Sequence, residues 1–404
     1  MLELPVAQII GGIADAAQRW SDADFPPRVR VTDAIVQRTG YSTPVVEYAL
    51  DRLFFELTSD ALKDTIAAEL GSLAALDGFV GHRGKPDRFA RGLDRVCIIS
   101  SRTTIGVALL PALFALCAKC DVTVKDREDH FITAFFETLR DEHEAFAASA
   151  RASAWKGAQD AFDLRPFDAV VAFGKDTTLA QIRASCSPDA RFLGFGNRAS
   201  AGYVTRDAVG DAAQIAEIAA GAARDLLLYE SEGCLSLHVL FVEADDCALT
   251  ERFLRLLTSA VQKATIEFPL GLRDAADASR VAHLRAAAAF RAASGQGGVY
   301  SDDACSFLLV YDPRKDDPPA FAPRTLGIVP VHEPAEAIRY LRQHDIRLEA
   351  FALSDERPDL IKAAISSGAV RLAPFGELQR LPVGADHGGR PRIADFIRWI
   401  DREI

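Results

Sequence analysis

The 404-residue chain has no apolar run fit to cross a bilayer: the longest, residues 105–118, is broken by Gly106 and Pro111 and falls short of the ~20 residues a membrane helix needs. It reads as a buried helix, and no membrane span is expected. An excess of positive charge is lacking as well. Lys and Arg number 46 against 57 Asp and Glu, a formal charge of −11, the wrong sign for a protein that rides on phosphate backbones, so nucleic acid is not an expected partner. No basic residue precedes the first apolar run in residues 1–13, which contain Glu3, so a secretory leader is not expected. Cysteine is sparse and odd in number, seven over a long chain, which argues for free thiols in a reducing compartment and a cytoplasmic location. There is no internal repeat, no low-complexity tract, no GxGxxG after a strand and no GxxxxGK[ST]. Cys117-x-x-Cys120 has no second pair at ribbon spacing and no His pair on a helix, so no metal is expected. Cys97 and Cys117 lie in apolar runs and should be buried.

What the chain does have is core material: 49 % hydrophobic residues, 24 Phe, and an ordinary 25 % of charged ones. Its length exceeds a usual single domain, which leaves one long core or two domains sharing a cleft. The first ninety residues are mostly helical. From about residue 95, short β-branched runs alternate with helical ones, the rhythm of a parallel sheet covered on both faces. Strands are expected at 96–100, 121–125, 168–173, 191–195, 235–242, 306–311, 326–331 and 348–353. Helices are expected at 105–118, 131–139, 177–185, 212–229, 248–264 and 334–343. The turn at 230–233 is read as a joint between domains.

Doubly wound sheets bind ligands beyond the carboxyl ends of their strands, which directs attention to Lys125, Gly174, Gly196 and Cys234. Gly174 ends an apolar strand, and Lys175-Asp176-Thr177-Thr178 opens a helix whose backbone N–H groups suit a phosphate; an ordinary capped helix is the alternative. Lys125 stands at a sheet edge, where it would meet a ribose or 2′-phosphate or else be a solvated surface lysine. Arg127, in the acidic stretch 126–129, is a further candidate for a phosphate. Cys234 lies in a polar turn, Glu232-Gly233-Cys234-Leu235-Ser236, where Gly233 allows close backbone approach. A thiolate there could attack a carbonyl, its own N–H holding the oxyanion; a small buried hydrophobe is the other reading. His238, four residues on and on the same strand face, is a base or, preferably, a core histidine.

The segment SEGCLSLHVLFVE (231–243) resembles the nucleophile region of the LuxC-type acyl-CoA (fatty acid) reductases of the aldehyde dehydrogenase superfamily. The resemblance runs on through AFGKDTTLAQIR (172–183), FLGFGNRASAGYV (192–204), PRTLGIVPVHEPAEAIRYL (323–341) and GAVRLAPFGELQRLPVGADHGGRP (368–391), and covers residues 1–90 loosely. It implies an α/β, aldehyde dehydrogenase-like fold of two doubly wound, Rossmann-type domains with an active-site cleft between them. Residues 1–230 would hold a helical N-terminal region and the dinucleotide-binding domain, 231–383 the catalytic domain, and 384–404 a segment returning to the cofactor domain. By the same resemblance Cys234 is the acylated nucleophile, Gly174 and the polar residues after it are the phosphate turn, and Lys125 contacts the adenosine ribose. The retained lysine points to NADPH, with NADH left open. An acyl-CoA or acyl-carrier thioester is the implied substrate, and a homo-oligomer the implied assembly.

Two departures from the superfamily pattern bear on chemistry. Where hydrolytic aldehyde dehydrogenases carry a water-activating Glu, this sequence has Gly194 in Gly194-Phe195-Gly196-Asn197-Arg198. A thioester on Cys234 would therefore persist long enough to accept hydride, giving a hemithioacetal that collapses to an aldehyde. The oxyanion-binding Asn is also missing from residues 100–104, leaving the Cys234 N–H, with Thr103 or Thr104, to hold the oxyanion. The reading that follows is NADPH-dependent reduction of an acyl thioester to the aldehyde. Its rivals are NAD(P)-dependent aldehyde oxidation, a nicotinamide-independent Cys234–His238 acyltransferase or thioesterase, and a non-catalytic subunit.

Overall fold

The computed structural model describes residues 2–82, 85–102, 104–153, 162–244 and 247–403. The chain divides into two compact units: Met1–Thr39, Val46–Gly196 and Pro382–Ile404 form the first, Gly40–Val45 and Asn197–Leu381 the second.

The first unit opens with the helices α1 (Val6–Trp20), α2 (Pro26–Thr39), α3 (Thr43–Glu56) and α4 (Ser59–Leu70), of which the start of α3 groups with the second unit. The strands β1 (Val80–His82) and β2 (Lys85–Gly92) follow. After them come β3 (Arg95–Ile99), α5 (Leu109–Cys117), β4 (Asp121–Lys125), α6 (Phe131–Glu142), α7 (Phe146–Ser149), β5 (Ala150–Ser153), β6 (Ala169–Phe173), α8 (Asp176–Ser185) and β7 (Arg191–Phe195). These form a parallel sheet of order β5-β4-β3-β6-β7. β6 (AVVAF) is buried at every residue, as expected for a strand covered on both faces. The helical N-terminus packs through an aromatic cluster in which the Trp20 ring lies 5.4 Å from Phe54, 5.4 Å from Phe131 and 5.8 Å from Phe135, and the indole N–H donates to Thr138 Oγ1 at 2.9 Å. Cys97 and Cys117 are buried free thiols, as their apolar surroundings predict.

The second unit contains β8 (Ala199–Val204), α9 (Arg206–Gly210), α10 (Ala212–Leu227), β9 (Leu237–Glu243), α11 (Cys247–Glu267), α12 (Ala275–Ala293), β10 (Gly298–Tyr300), β11 (Leu308–Tyr311), β12 (Thr325–Val331), α13 (Pro334–Gln343), β13 (Leu348–Leu353), α14 (Pro358–Ser366) and β14 (Arg371–Ala373). Its seven strands run β10-β11-β12-β9-β8-β13-β14, parallel except for the β10–β11 pair. The chain changes sheets at Gly196/Asn197, earlier than the expected 230/231, because β8 joins the second sheet between β9 and β13. β8 (ASAGYV) is wholly buried yet opens with four small residues of little intrinsic strand preference, so its role is set by neighbours. Gly221 on α10 is one such accommodation: a Cβ there would lie 2.5 Å from the Phe375 backbone. The tail β15 (Ile397–Arg402) pairs antiparallel with β2 in the first unit.

Just after β4, Glu128 is wholly buried and accepts the Gly106 N–H at 2.6 Å. Burial pushes its carboxyl from the ordinary 4.5 up to about 8. A folded-state value above the unfolded one means that stability is fully present below pH 4.5 and is lost as the pH rises through about 8. Glu128→Gln keeps an acceptor for Gly106 and cannot ionise. The melting temperatures of wild type and variant should agree near pH 5 and separate by several degrees by pH 9, with the variant higher; parallel curves would refute the assignment.

Candidate active site

In the first unit the strand order reverses between β3 and β6, and such a switch point opens a crevice at the carboxyl ends of the strands. Gly174, Lys175 and Thr177 follow β6 on one side of it, and Lys125 ends β4 on the other, with β3 between them. The Gly174 N–H donates to the Phe195 carbonyl at 3.2 Å, joining this turn to the end of β7. A Cβ at Gly174 would find nothing nearer than Thr178 at 4.0 Å, so the backbone there is open to a close-approaching group. α8 begins at Asp176 without a side-chain cap from Lys175, and a helix start is a place that suits an anion. These features fit a dinucleotide phosphate. Gly196 has a different part: a Cβ there would run into the Asp176 carboxylate, so its smallness serves packing of the α8 start against the end of β7.

Around Lys125 the charge is concentrated. Burial and the Arg127 guanidinium pull the Lys125 ammonium below its ordinary value. Arg127 is itself pulled down by burial and by Arg102 and Arg38, the last of which pairs with Asp129. Thr103 lies outside the described residues; Thr104 is in the turn that follows β3.

Cys234 lies in the second unit, before β9 rather than after a strand, at the amino edge of the sheet. The loop leading to it is left-handed: Tyr229, Glu230 and Ser231 have φ of 55°, 52° and 61°, a conformation that costs L-residues about 1–2 kcal/mol each. A buried ion pair holds it. Arg324 Nη2 donates to Glu230 Oε1 at 2.7 Å and to the Pro269 carbonyl at 3.0 Å, Nη1 donates to the Phe268 carbonyl at 2.9 Å, and the Arg324 N–H donates to the Glu230 carbonyl at 3.2 Å. Arg324 is 0 % exposed and Glu230 6 %. Burial pushes the Glu230 carboxyl up, and the guanidinium beside it opposes that push.

Beyond this turn the Gly233 and Cys234 carbonyls and the Ser236 hydroxyl each have a donor. Gly233 accepts the Ser236 N–H at 3.0 Å and the His238 ring, Cys234 accepts the Ser200 hydroxyl at 2.8 Å, and Gln379 Nε2 donates to Ser236 Oγ at 2.8 Å. Nothing in the chain crowds Gly233, where a Cβ would meet only Ser236 at 3.4 Å and Gln379 at 3.7 Å, so the expected close backbone approach is not made by this chain. The Cys234 thiol is pushed up to about 12, mainly by burial and next by the Glu349 carboxylate; its own N–H, Arg198 and the Leu235 N–H act in the opposite sense.

His238 does not share a strand face with Cys234, because β9 starts only at Leu237. Its imidazole is buried beside Phe321, with ring centroids 5.1 Å apart, and burial pulls it down to about 4, so at neutral pH it is uncharged and braces the Gly233 carbonyl. Gly194 lies inside β7, where a Cβ would meet the Phe192 ring at 2.7 Å, and so bears no carboxylate and has little room for one. Three residues escaped the sequence reading. Ser200 and Arg324 carry no local signal, whereas Glu349 does: it is an acid within the otherwise apolar strand LEAFAL.

Two doubly wound parallel sheets, one with a phosphate-type turn and the other with a braced cysteine loop, define an α/β protein of the aldehyde dehydrogenase kind. Solved structures share the fold. An NAD-dependent benzaldehyde dehydrogenase from Corynebacterium glutamicum superposes with a TM-score of 0.72 at 15 % identity over 100 % of this chain and 86 % of that one. An acetylating aldehyde dehydrogenase from Geobacillus thermoglucosidasius gives 0.69 at 13 % identity over 99 % and 92 %, and aldehyde dehydrogenase 21 from Physcomitrella patens gives 0.72 at 10 % over 99 % and 86 %. Among curated proteins no sequence match is found. Residues 1–399 match the family described as acyl-CoA reductase (LuxC). The chain belongs to that family and is an acyl-CoA reductase, an aldehyde-forming oxidoreductase whose substrate is an acyl thioester. Among the described residues no helix is long and apolar enough to cross a membrane.

Replacing Arg324 by Met would strand the Glu230 carboxylate in the interior, at a cost of about 3–5 kcal/mol. Denaturant unfolding of Arg324→Met, Glu230→Gln and the double variant should give a double variant far less destabilised than the sum of the singles. A strictly additive cycle would show that the pair does not couple.

Proposed function

We propose that Cys234 is the acylated nucleophile and that NADPH is the reductant. The observation that carries this reading is the loop itself: a cysteine sulfur facing two backbone N–H groups, its own and that of Leu235, on a segment braced at Gly233, Cys234 and Ser236. N–H groups so placed favour negative charge at the sulfur. They leave the Cys234 thioester with a preorganised backbone when the acyl group transfers and the carrier thiol departs. A bound nicotinamide nucleotide supplies the hydride that takes the acyl group to the aldehyde. Gly174, Lys175, Thr177 and the start of α8 would hold its phosphates, and Lys125 its adenosine ribose. With Gly194 at the position where the resemblance puts a water-activating Glu, that position cannot promote hydrolysis of the thioester.

The preference for NADPH over NADH rests on the cations Lys125, Arg127 and Arg102. The repulsion of Arg127 with Lys125 and with Arg102 is relieved by a dianionic group, which a 2′-phosphate provides. Arg127→Ala should therefore raise KM for NADPH about tenfold or more, one charged hydrogen bond being worth about 1.5–3 kcal/mol, with KM for NADH nearly unchanged. Equal effects on both nucleotides would remove the argument for NADPH.

The direct test is intact-protein mass spectrometry after incubation with a long-chain acyl-CoA, paired with nicotinamide absorbance when NADPH is added. Wild type should gain one acyl mass mapped to Cys234 and consume NADPH in step with aldehyde. Cys234→Ala should lose both while still binding NADPH. An adduct that survives in Cys234→Ala would overturn the assignment.

A further inference from the structure

With Cys234 as nucleophile, its proton must go somewhere, and burial keeps the thiol protonated at neutral pH. His238 is poorly suited to take it: burial pulls its imidazole down to about 4, which makes it a weak base, and its ring is committed to the Gly233 carbonyl. Gly194 has no side chain to offer.

The sheet itself singles out another group. Along β8 the ladder to β13 passes from Leu348↔Ala199 directly to Ala350↔Ser200, and the ladder to β9 from Ser200↔Leu237 to Ala201↔Val239. Each partner strand thus carries one extra residue beside Ser200, Glu349 on one side and His238 on the other. Bulges of this kind re-aim a side chain and are rare in parallel sheets. Ser200 links the cysteine loop to the residue that follows Glu349: its hydroxyl donates to the Cys234 carbonyl at 2.8 Å and accepts the Ala350 N–H at 3.2 Å. The Glu349 side chain is only 8 % exposed as a residue, yet it is paired with Arg198 Nη1 at 3.3 Å. The charged groups around it are Arg198, from the lead-in to β8, and Arg371, from β14.

Resting on the assignment of Cys234, we propose that Glu349 is the proton acceptor of the acylation step, with Arg198 as its positioning residue. The Cys234 sulfur bonds to the acyl carbon while its proton passes to the Glu349 carboxylate. The bond from the acyl carbon to the carrier sulfur breaks, and the same proton is delivered to that sulfur, so the carrier leaves as a thiol. Nothing is oxidised or reduced in this step. The Arg198 guanidinium, 3.3 Å away, fixes the direction in which the carboxylate presents its oxygens.

The test is release of free CoA from a long-chain acyl-CoA in the absence of nucleotide, set beside alkylation of Cys234 by iodoacetamide. The two readouts separate a proton acceptor from a passive charge. Glu349→Gln should slow CoA release by roughly 10²–10⁴-fold, the usual worth of general-base assistance. Alkylation should be as fast or faster, because a negative charge that opposes the thiolate has gone. CoA release within about twofold of wild type would overturn the proposal, and so would equal slowing of both reactions. The pH profile of wild type gives an independent check should the variant not fold. CoA release assisted by a carboxylate levels off above that group's titration, whereas unassisted attack climbs with pH toward the thiol's own value; a continuous climb would overturn the proposal. If wild type forms no adduct on Cys234 at any pH, the failure lies with the nucleophile assignment instead.

Discussion

The ion pair between Arg324 and Glu230 is the constraint on which the cysteine loop depends. Three consecutive left-handed residues are intrinsically costly, and no glycine among them relieves that cost. The guanidinium offsets it by binding at once the turn, through the Glu230 side chain and carbonyl, and the end of α11, through Phe268 and Pro269, while its own backbone opens β12. Arginine suits this place because its planar fork meets several acceptors and stays charged when buried. With the turn so fixed, Gly233 and Cys234 are delivered to the amino edge of the second sheet, where His238 and Ser200 bind their carbonyls and Gln379 holds Ser236.

The two units use opposite electrostatic means. The first places Lys125 and Arg127, with Arg102 beside Arg127, at the end of β4, and begins α8 just after β6. The second withholds charge from its sulfur: burial and a neighbouring carboxylate keep the thiol neutral, with only backbone N–H groups and one arginine acting the other way.

Much of the architecture was legible because apolar parallel strands announce themselves. The strands Asp121–Lys125, Arg191–Phe195 and Leu348–Leu353 and the helix Pro334–Gln343 fall where periodicity and end signals put them. β8 was not legible, since Ala, Ser and Gly carry no strand preference and are used there to admit bulky neighbours such as Phe375. Missing it displaced the division between units by some thirty residues. The helix α12 went unread for a related reason: its apolar positions are largely alanine, which marks a helix but not a buried face.

Chain chemistry alone determined the alternation of strands and helices, the polar turn that isolates Cys234 from the other cysteines, and the phosphate-type turn at Gly174. These depend on residues within a few positions of each other, where spacing and capping act directly. Only the tertiary structure decided that Arg324 would meet Glu230, 94 positions away, and that Ser200 would join Cys234 to Ala350, 150 positions away. Sheet order and register make those contacts. A one-residue bulge is enough to turn Glu349 from an anomaly in an apolar strand into a charge acting on the sulfur, and register is a property of paired strands that no single stretch of sequence contains.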